Sequence, residues 1–269
     1  MTEQQSTTPT ASGKAILLHR LVQISLFVAL MWKWQFFLSA DRVYQEIPLA
    51  DPFFPEWLQS YWTLRVAFLA TVGSILISLV VGSRLRIACG LITFAGASVL
   101  CLHQGSYNDM TFVTAWWTAL WNLWFVFRID DDDQETVLRR AAFLSRLIIS
   151  MILLGGAVGK WTAEYWSGEV FWDIYFRDRD FWVFNLLRQQ YDPETLREIA
   201  TWYSRKVIVI ETIAGFGLWL LPAKWAASIA MVVLMSIALL SNFYLFSVLL
   251  SLVGLAAAGF FAGSNKPTN

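Results

Sequence analysis

The chain reads as an all-α protein, a polytopic membrane bundle of about eight transmembrane helices with interfacial helices between them. Three observations predict it. Hydrophobic residues make up 57% of the 269 residues and mean hydropathy is +0.52, while charged residues are 15%. Soluble domains carry roughly a quarter charged residues, so lipid rather than water is the expected solvent. The apolar residues also gather into eight runs of about 16 to 23 residues, close to what a ~30 Å hydrocarbon layer requires. Finally, those runs are continuously apolar instead of alternating with period two, which points to helices and away from a barrel.

The stretch 1–15 is rich in Thr, Ser and Gln and is expected to be a disordered tail. A single transmembrane bundle domain is expected over 16–262, followed by a short tail at 263–269. Its first run, Ile16 to Leu38, is too long for the apolar core of a signal peptide and has no small-residue cleavage site, so it reads as a retained anchor. The others are Tyr61 to Gly82, Leu85 to Leu102, Met110 to Phe127, Ala141 to Gly159, Lys206 to Leu221, Ala223 to Leu240 and Tyr244 to Phe261. Two connections are too aromatic for plain loops. Asp41 to Ser60 sets Phe53, Phe54 and Trp57 among Pro48, Pro52 and Pro55, a surface suited to the headgroup level. Trp161 to Leu187 interleaves aromatic side chains with Glu169, Asp173, Arg177, Asp178, Arg179 and Asp180, which suits an interfacial or re-entrant piece. Such a piece serves either as an aromatic belt or as a lid over a lipid-accessible pocket.

Basic residues in short loops set the orientation. With the N-terminus inside, Lys14, Arg20, Arg84, Arg86, Arg128, Arg139, Arg140, Lys224 and Lys266 fall on the cytoplasmic side, and the short outer loops carry only Arg42. Both termini are therefore expected in the cytoplasm, with the bundle in the cell (inner) membrane. Formal net charge is +0 and the cations are scattered, which argues against nucleic acid as a partner. Cys89 and Cys101 share one apolar run without CxxC spacing, so they read as small core residues and no metal site is expected.

Ionisable residues inside apolar runs are costly unless paired or hydrated, so they carry the functional signal. Lys33 lies between Trp32 and Trp34 toward the outer end of the first run, Glu211 in the upper half of the sixth, and Lys160 at the outer end of the fifth. Glu211 is expected to pair with Lys33 or Lys160, or to stay protonated and hydrogen-bonded. Gly155, Gly156 and Gly159 precede Lys160 and admit close approach of a neighbouring helix. His103, Tyr107, Asn242 and Tyr244 are placed by the same topology at outer helix ends. Snorkelling accounts for Lys33, an interfacial side chain for His103, and a structural ion pair for Glu211, as readily as chemistry does.

The run GGAVGKWTAEYWSG, Gly155 to Gly168, resembles the segment of the vitamin K-dependent gamma-carboxylase superfamily in which a lysine is followed by an apolar residue, an acidic stretch, a tryptophan and a glycine. LLSNFYLFSVLL, Leu239 to Leu250, is similar to that family's polar break before the last helix. The proline-aromatic first loop and the turn from His103 to Tyr107 fit the same order, so the resemblance runs from about Arg20 to Phe261. It implies a membrane domain of the HTTM type, in a short bacterial-type member. The chain stops at Asn269, so the large C-terminal extramembrane domain of the animal carboxylase is expected to be absent, and carboxylation of a propeptide-bearing client with it.

The resemblance further implies a reduced, vitamin K-like quinol as cofactor and Lys160 as the base that deprotonates it; His103 and, from its place inside an apolar run, Glu211 are the further catalytic candidates. A lysine at a dry interface gives up its charge more readily, which is compatible with that role. Ser106 and Tyr107 match a polar Asn-His-Ser-Tyr element of the family, although Gly105 stands where its histidine would be and His103 lies two residues earlier. Trp161, Glu164, Trp166, Asn242, Tyr244 and Lys33 are the further candidates for lining a quinol or lipid-like substrate. Beyond membrane lipid, the partners to expect are a small peptide or a membrane complex. The alternatives to an enzyme are a non-catalytic accessory in peptide maturation, export or immunity, and a structural subunit of a larger membrane complex.

Overall fold

A computed structural model describes residues 12–39, 42, 55, 57–58, 60–103, 110–130, 133–241 and 245–263. Every regular element among them is helical. The first apolar run is broken at its charged residue. Helix α1 (Ser12–Met31) stops at the turn Trp32–Lys33, and a short α2 (Trp34–Leu38) follows, so the expected single helix to Leu38 is corrected to two pieces. The next three runs form α3 (Tyr61–Ser78), α4 (Ser83–Leu102) and α5 (Thr111–Val126). Helix α3 begins where the Ser60 side chain accepts a hydrogen bond from the Trp62 N–H, satisfying one of the orphan donors of its first turn.

Helix α1 starts at Ser12, so residues 12–15 of the expected disordered tail are helical, and two later helices begin far ahead of their apolar runs. Helix α6 (Gln134–Val158) starts two turns before Ala141, because Asp133 caps it by accepting from the Thr136 N–H. A longer correction concerns α10 (Pro193–Gly217), which takes in thirteen residues read as outer connection before Lys206. Asp192 accepts from the N–H groups of Glu194 and Thr195, and Pro193 occupies the first helical position, where its missing N–H costs nothing. Between α6 and α10 lie α7 (Ala163–Ser167), α8 (Glu169–Phe171), a π-type turn at Trp172–Phe176 and α9 (Trp182–Gln190). The chain ends in α11 (Ala223–Ser236), a π-type turn (Ile237–Ser241), α12 (Phe246–Ala256) and α13 (Ala258–Phe261).

Among the described residues four helices are long and apolar enough to cross a membrane: Gly13–Met31, Tyr61–Ser78, Ser83–Leu102 and Gln134–Val158. Half or less of each is buried within the protein, so their other faces present Leu17, Ile24, Leu69, Leu91 and Met151 outward, where lipid is the compatible solvent. Helix α3 packs on α4, α4 on α5, α1 on α5 and α12, and α6 on α10 and α13. One core gathers around Leu18, Val22, Trp121, Ile149, Leu234 and Leu252, and a second around Leu26, Phe37, Phe68 and Phe112.

Because apolar side chains gain little by leaving lipid for each other, polar links matter more in fixing such helix pairs. Ser74 and Thr93 share a 2.8 Å hydrogen bond between α3 and α4, and Thr111 meets Ser247 at 2.8 Å between α5 and α12. The segment between α6 and α10 brings its own small core. Phe176 and Phe184 pack with Leu196 and Ala200 on the first half of α10, ringed by Trp172, Tyr175 and Tyr203. The aromatic, charge-bearing stretch thus lies against a helix that extends beyond its apolar half.

Candidate functional site

The polar centre forms where the end of α6 meets the middle of α10. These helices come close because neither carries bulk at the crossing. A methyl on Gly215 would lie 2.6 Å from Cδ2 and Cγ of Leu154, and one on Gly156 3.4 Å from Oε2 of Glu211. The Ser150 hydroxyl clamps the pair by donating to the Gly215 carbonyl at 2.6 Å, while the Trp219 indole donates to that hydroxyl at 2.9 Å.

At this crossing the Lys160 ammonium donates to both carboxylate oxygens of Glu211, at 2.7 Å to Oε1 and 2.5 Å to Oε2. Glu211 therefore takes Lys160, not Lys33, as its partner. The Glu211 side chain is 9% exposed and that of Lys160 24%, so the carboxylate end is drier than the ammonium end. Without its partner either charge would be expensive in this surrounding. On its far side Glu211 borders a cavity of about 180 Å³, lined also by Tyr203, Lys206, Ile210, Ser236 and Ile237.

Trp161 and Trp166, which follow Lys160 in the chain, form a stacked lid on Thr212, the next residue of α10 after Glu211. The Trp161 indole donates to Thr212 at 3.2 Å, and the two rings stack with centroids 5.2 Å apart. Arg205 lies 5.5 Å over the Trp166 ring and donates to its carbonyl at 3.0 Å. The lid is tied down further along α10, where the Thr201 hydroxyl donates to the Ser167 carbonyl and that of Ser204 to the Tyr165 carbonyl. Gly168 makes this seat possible. It has φ 87°, and a side chain there would meet the Thr201 backbone at 2.5 Å.

Other candidates stand apart from this cluster. Glu164 is exposed in the first turn of α7. Lys33 sits in the turn between α1 and α2. His103 closes α4, whose packing partners are α3 and α5, and no hydrogen bond joins it to the Lys160 pair. Burial holds the His103 imidazole below its ordinary pKa, against a smaller upward pull from a hydrogen bond with the Leu58 backbone. Ser106, Tyr107, Asn242 and Tyr244 lie outside the described residues, as do most of the first aromatic connection and the terminal stretches 1–11 and 264–269.

A second polar cluster escaped the sequence argument. His19 Nδ1 lies 3.0 Å from Oδ1 of Asn122, joining α1 to α5, and both residues are buried. Gln23, one turn along α1, is buried too, and its amide atoms, His19 Nε2 and Asn122 Nδ2 have no hydrogen-bond partner among the described residues. A signal existed in the four-residue spacing of His19 and Gln23, which places them on one helix face, and in Asn122 among tryptophans.

Compared with protein-family models, with curated proteins and with solved structures, the chain matches none.

Proposed function

We propose that the chain is an eight-helix integral membrane protein of the cell (inner) membrane, with both termini cytoplasmic, that handles a quinol or lipid-like hydroxyl compound at the Lys160–Glu211 pair. One observation carries this: a nearly buried carboxylate, held on both oxygens by a lysine at a helix end, borders a cavity that Tyr203, Lys206, Ile210 and Ser236 also line. To act as a base Lys160 first passes a proton to Glu211, whose two oxygens its ammonium already contacts. The short contact makes that transfer local. Of the two residues Glu211 borders the cavity, so it takes the proton of a hydroxyl placed there while returning its own to Lys160.

At about 180 Å³ the cavity is smaller than the roughly 300–1,000 Å³ of pockets that enclose whole ligands, so it suits a headgroup whose tail stays in lipid. A quinol bound there would supply an acidic hydroxyl and two-electron redox chemistry; Glu211, Tyr203 and Ser236 are the residues that would hold its ring. The resemblance of the run Gly155 to Gly168 to the carboxylase superfamily supports the choice of Lys160.

A non-catalytic accessory or subunit role has support of its own. Both Glu211 oxygens are already engaged, and Trp161, stacked on Trp166, hydrogen-bonds to the neighbouring Thr212, as in a latch between α6 and α10.

Consumption of a short-tailed quinol with dioxygen in proteoliposomes separates the two. Wild type is expected to consume it, Lys160→Ala to lose the activity, and Lys160→Arg to stay inactive, because arginine keeps its proton near neutral pH. Equal turnover in all three removes the base role and leaves the latch. The orientation has its own check in a background lacking Cys89 and Cys101. An impermeant thiol reagent added outside is expected to label Ser167→Cys and not Ser83→Cys, and the reverse pattern inverts the topology.

A further inference from the structure

At the opposite end of α6 from Lys160, Arg139, Ala142, Phe143 and Arg146 follow one another on one helix face, spaced three, four and seven residues from the first. This face, the first turn of α11 and the residues after α13 enclose a cavity of about 710 Å³. Arg139, Arg146 and Lys224 line it with Phe143, Pro222 and Trp225, and no lining residue is acidic.

The nearby carboxylates belong to the start of α6. Glu135 reaches Arg139 at 4.0 Å, and Asp133 faces Arg139 and Arg140. Neither Arg146 nor Lys224 has a carboxylate within ion-pair distance among the described residues. Arg146 stands twelve residues into the helix, about 18 Å along its axis, inside a segment apolar enough to cross a membrane. Its guanidinium lies 5.9 Å from the Trp219 ring centre, a contact that leaves its charge uncompensated. A cation at that depth calls for an anion. Independently, Ser145 Oγ is buried without a hydrogen-bond partner among the described residues, and it lines a narrow pocket that shares Ala142, Arg146 and Ala223 with the larger cavity.

Two features decide what kind of anion. The rim is made of Phe143 and Trp225, 55% and 65% exposed, on helices whose outer faces are apolar. A free anion in water gains nothing from such a rim, whereas acyl chains do. The cations, in turn, lie where a charged headgroup would sit and extend inward to Arg146. We propose that this cavity binds an anionic glycerophospholipid, its phosphate held by Arg146, Arg139 and Lys224 and its chains laid along Phe143 and Trp225. The inference shares with the proposed function only the bilayer, and it stands whether or not Lys160 is a base. The sign of the cavity also matches the cytoplasmic leaflet, where anionic lipids meet juxtamembrane cations.

The test uses the full chain purified in detergent, with thermal unfolding and native mass spectrometry as readouts. Phosphatidylglycerol is expected to raise the midpoint on the order of 5 °C and to remain bound at one molecule per chain, where phosphatidylcholine with the same chains does neither. Arg146→Gln and Lys224→Gln are each expected to lose that selectivity, and Arg84→Gln to keep it. Lys224 is exposed, so its variant decides the matter even if Arg146→Gln does not fold. Equal effects of the two lipids, or selectivity retained in Lys224→Gln and Arg146→Gln, overturn the proposal. So does inorganic phosphate if it alone reproduces the shift, for that marks a free-anion site.

Discussion

Removing one member of the Lys160–Glu211 pair should cost unequal amounts depending on which member goes. Breaking a fully buried ion pair by deleting one partner costs about 3–5 kcal/mol, and an exposed pair about 0–1 kcal/mol. Here the two ends differ, with Glu211 9% and Lys160 24% exposed. Lys160→Met leaves a carboxylate that water scarcely reaches, so a loss of about 2–3 kcal/mol is expected. Glu211→Gln leaves an ammonium on a flexible stem that can turn toward the more open side, and the expected loss is nearer 1 kcal/mol. At about 2–4 °C per kcal/mol for a chain of this size, the first variant should melt about 4–12 °C lower and the second about 2–4 °C lower. Intrinsic tryptophan fluorescence during thermal unfolding in detergent measures both. Since the two groups touch, the double variant should fall short of the sum of the single losses by 0.5 kcal/mol or more, the usual sign of direct coupling. Strict additivity, or a larger loss for Glu211→Gln than for Lys160→Met, refutes the burial argument.

Two further outcomes follow from the helix contacts and caps. Gly215→Ala presses a methyl onto Leu154, and the overpacking of about 1–3 kcal/mol should outweigh the helix propensity gained. Gly73→Ala meets nothing within 4 Å and should gain about 0.5–1 kcal/mol, so melting shifts of the same sign in both would contradict the packing at the crossing. The Asp192 cap should make stability depend on acid. Hydrogen bonds from the Thr195 backbone N–H and then its hydroxyl hold the Asp192 pKa below its ordinary value. Its contribution is therefore complete above the unfolded carboxylate pKa of about 3.9 and disappears as pH falls through the lower folded value. Wild type should melt above Asp192→Ala at pH 7, with the gap closing only below about pH 4; a gap that closes already between pH 7 and 5 assigns the effect to another group.

What the sequence by itself determined is the helical class and the membrane-compatible apolar runs, because composition and run length act locally and each helix satisfies its own backbone. It also singled out Lys160 and Glu211, since a charge in an apolar run is conspicuous without knowing its neighbours. Which partner Glu211 takes was a tertiary matter. Lys33 and Lys160 were equal candidates in one dimension, and the close approach of α6 and α10 at Gly156 and Gly215 chose the second. Helix lengths were misjudged wherever polarity and helicity part company. The first half of α10 is polar yet helical because Asp192 and Pro193 start it and Phe176 and Phe184 pack on it, and the first run breaks at Lys33 although its hydropathy does not. The His19–Asn122 link and the cation-lined cavity at Arg146 joined residues from helices far apart in the chain. Both depend on which faces meet, and that is decided by the packing of whole helices against one another, a property no local window of sequence contains.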